Sequence, residues 1–149
     1  MRILAIDFGT RRLGLAVSDP SGKVALGLPT LSRKNLAEDL SRLGELISQY
    51  EPGEVLVGLP VSKGGAESAM SIRAAGFAKK LQFSTGRPVR LWDERLSSAE
   101  ANRLLRSSGI SIEKRKRAVD RVAATLILQN YLDWRSQALR EDVAAGDPQ

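Results

Sequence analysis

The reading of this chain turns on its first strands, Arg2-Ile-Leu-Ala-Ile-Asp-Phe-Gly-Thr-Arg-Arg-Leu-Gly-Leu-Ala-Val-Ser-Asp19. Arg2 to Phe8 is a short apolar run whose length and flanking glycine predict a strand buried on both faces. Asp7 stands near its end, where an ionised carboxylate is costly unless a cation or hydrogen-bond donors compensate it. Gly9, Thr10, Arg11, Arg12 and Gly14 make a sharp basic turn into a second strand, Leu13 to Asp19, hairpinned onto the first. A strand-end carboxylate beside a glycine-rich basic turn is a seat for a divalent metal and a phosphate. The plainer reading is an ordinary Asp-x-Gly turn, in which the carboxylate accepts backbone hydrogen bonds.

Working outward, Asp19 to Gly22 is a turn and Lys23 to Thr30 a third strand, which completes a meander. The apolar spacing then changes. Leu36, Leu40, Leu43 and Ile47 define one face of a helix over 34–50, closed by Pro52 and Gly53. Glu54 to Pro60 is a buried strand of the parallel type. It ends in a loop with Ser62, Lys63, Gly64 and Gly65, which opens onto a helix lined by Met70, Ala74, Phe77, Ala78 and Leu81 and so offers backbone N–H groups to a phosphate. Pro88 to Glu94 is the next strand and again finishes on carboxylates, Asp93 and Glu94. Ser97-Ser-Ala-Glu100 is a capping box that starts a helix ending near Gly109. A long helix from about Lys116 to about Leu139 carries Asp120 near its start. Its predicted buried side is Val119, Val122, Ala123, Leu126, Ile127, Tyr131 and Trp134, with small Ala123 and Ala124 allowing close approach to a sheet. Residues 1–139 are expected to form one domain and 140–149 a flexible tail.

Composition narrows the chemistry. The chain of 149 residues has neither cysteine nor histidine. Histidine-based triads, cysteine nucleophiles and zinc sites built on either residue are thereby excluded. Catalysis must run on carboxylates, hydroxyls, lysine or arginine, with a hard oxygen-loving cation such as Mg²⁺ as the natural electrophile. The net charge is +6, and Arg103 to Arg121 holds seven basic residues against Glu113 and Asp120. Such a basic face suggests a polyanion partner, or else only a solvated helix end. Nothing at the start resembles a signal peptide and no apolar run approaches the roughly 18 residues of a membrane span, so a cytoplasmic location is expected. Aromatic residues are only 5% of the chain. Trp92 and Trp134 are expected in the core, and no stacking platform announces RNA or DNA.

The order of elements predicts an α/β fold with a mixed central sheet, a three-stranded meander followed by strand–helix units. Ligands of open α/β sheets bind outside the carboxyl ends of strands, where Asp7 and the Asp93–Glu94 pair both fall and to which a later helix could bring Asp120. Three converging carboxylates repel one another unless divalent cations fill the cluster. Alternation puts Asp93 and Glu94 on opposite faces, and the pattern alone leaves open which of them points inward.

Ile3 to Asp19, Val57-Gly-Leu-Pro60, Asp93-Glu-Arg-Leu-Ser97, Asp120-Arg-Val-Ala-Ala124 and Ile127-Leu-Gln-Asn-Tyr-Leu132 together resemble the YqgF family of RNase H-like nucleases, over nearly the whole chain and in order. The resemblance implies an RNase H-like fold and a metal-dependent nuclease that uses Mg²⁺ or Mn²⁺. Bacterial members are described as maturing the 5′ end of pre-16S ribosomal RNA, and the family is related to RuvC-type Holliday-junction resolvases. Carried over by position, it makes Asp7, Glu94 and Asp120 the catalytic, metal-holding carboxylates, with Asp93 as the alternative to Glu94. No fourth acid stands at Arg121 to Ala124, a departure from the resolvase pattern that bears on the second metal. Arg12 matches the basic turn residue. Arg11, Lys63, Arg95, Lys114, Arg115, Lys116 and Arg117 are the other candidate nucleic-acid contacts, and Gly9, Thr10, Gly14, Gly64 and Gly65 the candidate backbone contacts to phosphate. The implied partner is structured nucleic acid, chiefly precursor ribosomal RNA, with the chain as monomer or weak homodimer. Two rival classes stand beside it. One is a nucleotide-binding protein, since Asp7-Phe-Gly-Thr10 also resembles the phosphate hairpin of actin-like ATPases, which need a second lobe. The other is an RNA-binding assembly module without catalysis.

Overall fold

The computed structural model describes residues 1–59, 69–93, 122–136 and 138–139. Strands β1 (Ile3–Phe8), β2 (Arg12–Ser18) and β3 (Ala25–Ser32) form the antiparallel meander. Helix α1 (Leu36–Tyr50), strand β4 (Glu54–Leu59), helix α2 (Ala69–Thr85) and strand β5 (Val89–Asp93) follow. A further helix, α3, covers 122–136. The strands lie in the order β3-β2-β1-β4-β5, with β1 antiparallel to β2 and parallel to β4, and β4 parallel to β5. β1 is thus the central strand, buried on both faces as its unbroken apolar run requires.

Period-two alternation sorts the side chains of these strands into two layers. Leu4, Ile6 and Phe8 of β1, Leu13, Leu15 and Val17 of β2, and Val55 and Val57 of β4 pack with Leu43 and Ile47 of α1 and with Ala74, Phe77, Ala78 and Leu81 of α2. The other layer is thinner. Ile3, Ala5, Ala16 and Leu56 meet Ala124, Leu128, Tyr131 and Leu132 of α3.

Three boundaries differ by two residues from the sequence expectation, each for a local reason. β3 begins at Ala25 rather than Lys23 because the Asp19 carboxylate accepts the N–H groups of Lys23 (2.9 Å) and Val24 (2.8 Å) to close the turn, which takes them out of a ladder. It continues to Ser32, since Leu31 and Ser32 pair with Leu13 and Arg12. α1 begins at Leu36 because Asn35 caps it, its Oδ1 accepting from the Glu38 N–H at 2.9 Å. The buried side of α3 is also rotated from the expected one. Ala124, Leu128 and Leu132 join Ala123, Ile127 and Tyr131 inside, whereas Val122 and Leu126 are only half-buried and Trp134 is 48% exposed. Trp134 is therefore not a core residue. The helix presents its small residues to the small row of the sheet, which leaves the bulky indole at the margin against Trp92, ring centroids 5.3 Å apart.

The expected glycine loop at 64–65, the helix begun by Ser97, the basic run 114–117 and the tail 140–149 lie outside the described residues. No described helix is long and apolar enough to cross a membrane.

Candidate active site

Asp7 occupies the carboxyl end of the central strand and belongs, with Ile3 and Ala5, to the side of β1 that α3 covers. Its register partners decide the character of the place. Gly14 of β2 flanks it on one side and Gly58 of β4 on the other, and Gly58 in turn pairs with Trp92 of β5. At this level neither neighbouring strand carries a side chain, and the carboxylate is half-buried. The two glycines had different readings in the sequence, one as a phosphate contact and the other as part of a motif. The sheet brings both to the same carboxylate.

Beyond Asp7 the chain turns sharply. A Cβ on Gly9 would lie 2.5 Å from the Arg12 carbonyl oxygen, so the turn closes only with glycine there. Thr10 and Arg11 at its tip are exposed and Arg12 is half-buried as it enters β2. The turn is held from behind by Arg33, whose Nη1 donates to the Gly9 carbonyl at 2.9 Å and whose Nε donates to Asp39 at 3.0 Å. Neither Arg33 nor Asp39 was singled out in the sequence. A signal for Asp39 existed: it falls three residues after Leu36 and four before Leu43, on the apolar stripe of α1, where an acid must find a buried partner.

The opposite edge of the sheet fixes the direction of α3. Gln129 accepts from the Ala25 N–H at 3.0 Å and donates to the Lys23 carbonyl at 3.0 Å. The Tyr131 hydroxyl donates to the Glu54 carboxylate, beside the start of β1. Burial, and after it this hydrogen bond, pushes the Tyr131 phenol up to about 12. The Asp19 carboxyl is held far below its ordinary range, chiefly by the Ser21 hydroxyl and then by the N–H groups of Val24 and Lys23. The later turns of α3 therefore lie at the amino end of β1. Its residue-122 end is the one directed to the Asp7 edge.

Of the expected site residues, the structure brings together Asp7, Gly9, Thr10, Arg11, Arg12 and Gly14. Glu94 and Asp120, with Lys63, Gly64, Gly65, Arg95, Lys114, Arg115, Lys116 and Arg117, lie outside the described residues, and Asp93 is described only as the last residue of β5. Among the described residues no three acidic side chains gather to hold one metal ion.

A family model described as "RuvX: Holliday junction resolvase" matches residues 1–134. The chain is 54% identical over 134 residues to a "Putative pre-16S rRNA nuclease" of Koribacter versatilis, covering 90% of this chain and 88% of the relative. A protein with the same name from Moorella thermoacetica is 44% identical over 137 residues, 92% of this chain and 98% of its own length. Among solved structures, Thermus thermophilus RuvC in complex with a Holliday-junction substrate superposes with a TM-score of 0.58 at 19% identity, covering 92% of this chain and 96% of that one. The fowlpox virus resolvase bound to junction DNA gives 0.53 at 12% identity, over 89% and 97%. The matches to solved structures establish a shared RNase H-like fold, and the family model together with the close relatives shows that this chain belongs to the RuvX/YqgF family.

Proposed function

We propose that this protein is a metal-dependent endonuclease that hydrolyses phosphodiester bonds in precursor ribosomal RNA, trimming the 5′ side of 16S rRNA in the cytoplasm. The observation that carries the reading is Asp7, a carboxylate at the carboxyl end of the central strand with glycine on both flanking strands. Glycine positions on both sides of a strand-end acid suit the approach of a phosphate and a cation, and a chain without histidine or cysteine offers such a cation only oxygen ligands. A plain structural Asp-x-Gly turn would not call for bare positions on both neighbouring strands.

The donor chemistry fits a hard divalent ion, and Asp7, Glu94 and Asp120 are the residues that would hold it. Trp92 supports Glu94 over Asp93. It packs on the α3 side of the sheet, the side of Asp7, and period-two alternation favours the even-numbered acid of the pair. Asp120 stands two residues before the described start of α3, the end of that helix directed to the Asp7 edge. Magnesium or manganese, when bound, neutralises phosphate charge and lowers the pKa of the attacking water. The chain's own part is to place the scissile phosphate. Arg12, aided by Arg11 and by backbone N–H groups of the Gly9–Gly14 turn, binds it beside Asp7. Lys63, Arg95 and the run Lys114 to Arg117 hold flanking phosphates without reading sequence.

A second reading, cleavage of branched DNA, is favoured by the family model's description and by the likeness to RuvC. Purified protein offered precursor 16S rRNA and a four-way DNA junction in Mg²⁺ separates the two. Cleavage of the RNA with the junction left intact is the expected result. Cleavage of the junction alone would establish the second reading, and binding of RNA without cleavage would leave an assembly module.

A further inference from the structure

Asp39 is a carboxylate with no exposed surface, set among leucines in the first turn of α1. Both its oxygens are engaged: Oδ2 accepts from Arg33 Nε at 3.0 Å and Oδ1 from the Lys34 N–H at 3.1 Å. Arg33 does more than neutralise it. Its Nη1 donates to the Gly9 carbonyl at 2.9 Å, and its own backbone N–H donates to the Arg11 carbonyl at 2.8 Å. The guanidinium also lies 4.8 Å from the centroid of the Phe8 ring, which packs on Phe77 of α2. One residue therefore holds positions 8, 9 and 11, the run that directly follows Asp7.

The direction of these contacts has a chemical result. In a trans peptide the carbonyl and the next N–H point opposite ways. Drawing the Gly9 carbonyl back toward α1 aims the N–H of exposed Thr10 outward, away from the guanidinium. Glycine tolerates several orientations, and among the described contacts it is Arg33 that holds the Gly9 carbonyl. The fork of the guanidinium is needed for it: one arm must stay on the buried acid while another reaches the carbonyl, a geometry a lysine ammonium does not supply.

We infer that Arg33 and Asp39 are positioning residues that preset the turn after Asp7 to receive a phosphate, an assignment that rests on the nuclease reading of that strand end. Neither touches the substrate. Asp39 holds Arg33, Arg33 holds the turn, and the turn presents the Thr10 N–H beside the carboxylate that does the chemistry.

The test is Arg33→Lys, which keeps the charge and removes the fork, set beside Ile47→Val, a mild core change in α1 remote from the turn. Arg33→Lys should lower kcat/KM on precursor rRNA by about ten- to a hundredfold. The ¹⁵N order parameter of the Thr10 amide, measured without substrate, should fall from about 0.85 to below about 0.6. Ile47→Val should lower the unfolding midpoint and leave both readings at wild-type values. Wild-type kcat/KM in Arg33→Lys overturns the assignment. So does an activity loss no larger than that of Ile47→Val, which would mark the pair as structural only, or a loss with the Thr10 amide still rigid. A wild-type protein inert toward both RNA and junction DNA defeats the nuclease reading instead. The order parameter then still decides whether Arg33 holds the turn.

Discussion

The two faces of the central sheet are made by the same strands and do opposite work. Toward α1 and α2, β1 and β2 present Leu4, Ile6, Phe8, Leu13, Leu15 and Val17, all buried in one continuous cluster. Toward α3 the intervening residues are Ile3, Ala5, Asp7, Gly14, Ala16 and Ser18. The first face stabilises through area, each fully buried aliphatic side chain contributing about 1.5–3 kcal/mol. The second gives up much of that area. In exchange Ala124 of α3 packs in one cluster with Ala5 and Ala16, and Asp7 at the carboxyl end of β1 has glycine on both flanking strands. The core face and the proposed reactive face are thus separated by a single step of the pleat, since a shift of one residue in β1 would exchange the two sets.

The largest expected effect falls on the second face and leaves the first untouched. Asp7→Asn should reduce single-turnover cleavage of precursor rRNA about a thousandfold or more, because it removes the central anionic ligand. The thermal midpoint should stay level or rise, since a half-buried charge has been removed. Wild-type cleavage by the purified variant would break the division of labour and restore the view of Asp7 as a turn residue.

Next come packing changes, which should separate the faces by mechanism. Leu15→Ala on the bulky face should cost about 2–5 kcal/mol in urea unfolding through the cavity it leaves. Cleavage per folded molecule should not change. Ala124→Leu on the thin face should cost less, about 1–3 kcal/mol, because the added bulk forces α3 off the sheet. It should nonetheless slow cleavage, since Asp120, proposed as a site residue, stands four positions earlier in the chain. A neutral Ala124→Leu would mean that the approach of α3 is not what the small residues are for.

Much of this division could be read from the residues, and where it could not the reason is specific. The central strand, the meander and the stripe of α1 were legible because unbroken apolar runs and 3.6-residue spacing report burial directly. The face of α3 is not legible in this way, because periodicity ranks residues by hydrophobicity and so favours Trp134. The sheet instead selects by size, and Ala5 and Ala16 admit Ala124 and Leu128. Within the site, Asp7 and the tight turn at Gly9 were visible, yet the pairing of Gly14 and Gly58 around Asp7 was not. Register joins residues 44 positions apart, and no local pattern encodes it. Arg33 escaped notice for a related reason: an arginine in a loop reads as solvated until the buried acid that holds it is placed.

The smallest effect concerns how the thin face is fastened at the end remote from Asp7. Tyr131 is buried, its ring edge-on to Trp92 at 5.0 Å, and its hydroxyl donates to Glu54. Tyr131→Phe removes one hydrogen bond and should cost about 0.5–1.5 kcal/mol at neutral pH. The pH dependence identifies the cause. The phenol titrates near 10.0 when unfolded and is pushed up to about 12 in the fold, so the native state holds the proton more tightly. Stability from this group is fully present below the unfolded value and is lost as pH rises through the window up to the folded one. The informative quantity is the difference between wild type and Tyr131→Phe. That difference should shrink steadily as the medium is made more alkaline. A constant gap across the window would show that the fold does not raise the phenol's affinity for its proton, and a gap of zero that the hydroxyl–carboxylate contact adds nothing to the seating of α3. Among the described residues, the thin face would then rest on its packing and on the hydrogen bonds of Gln129.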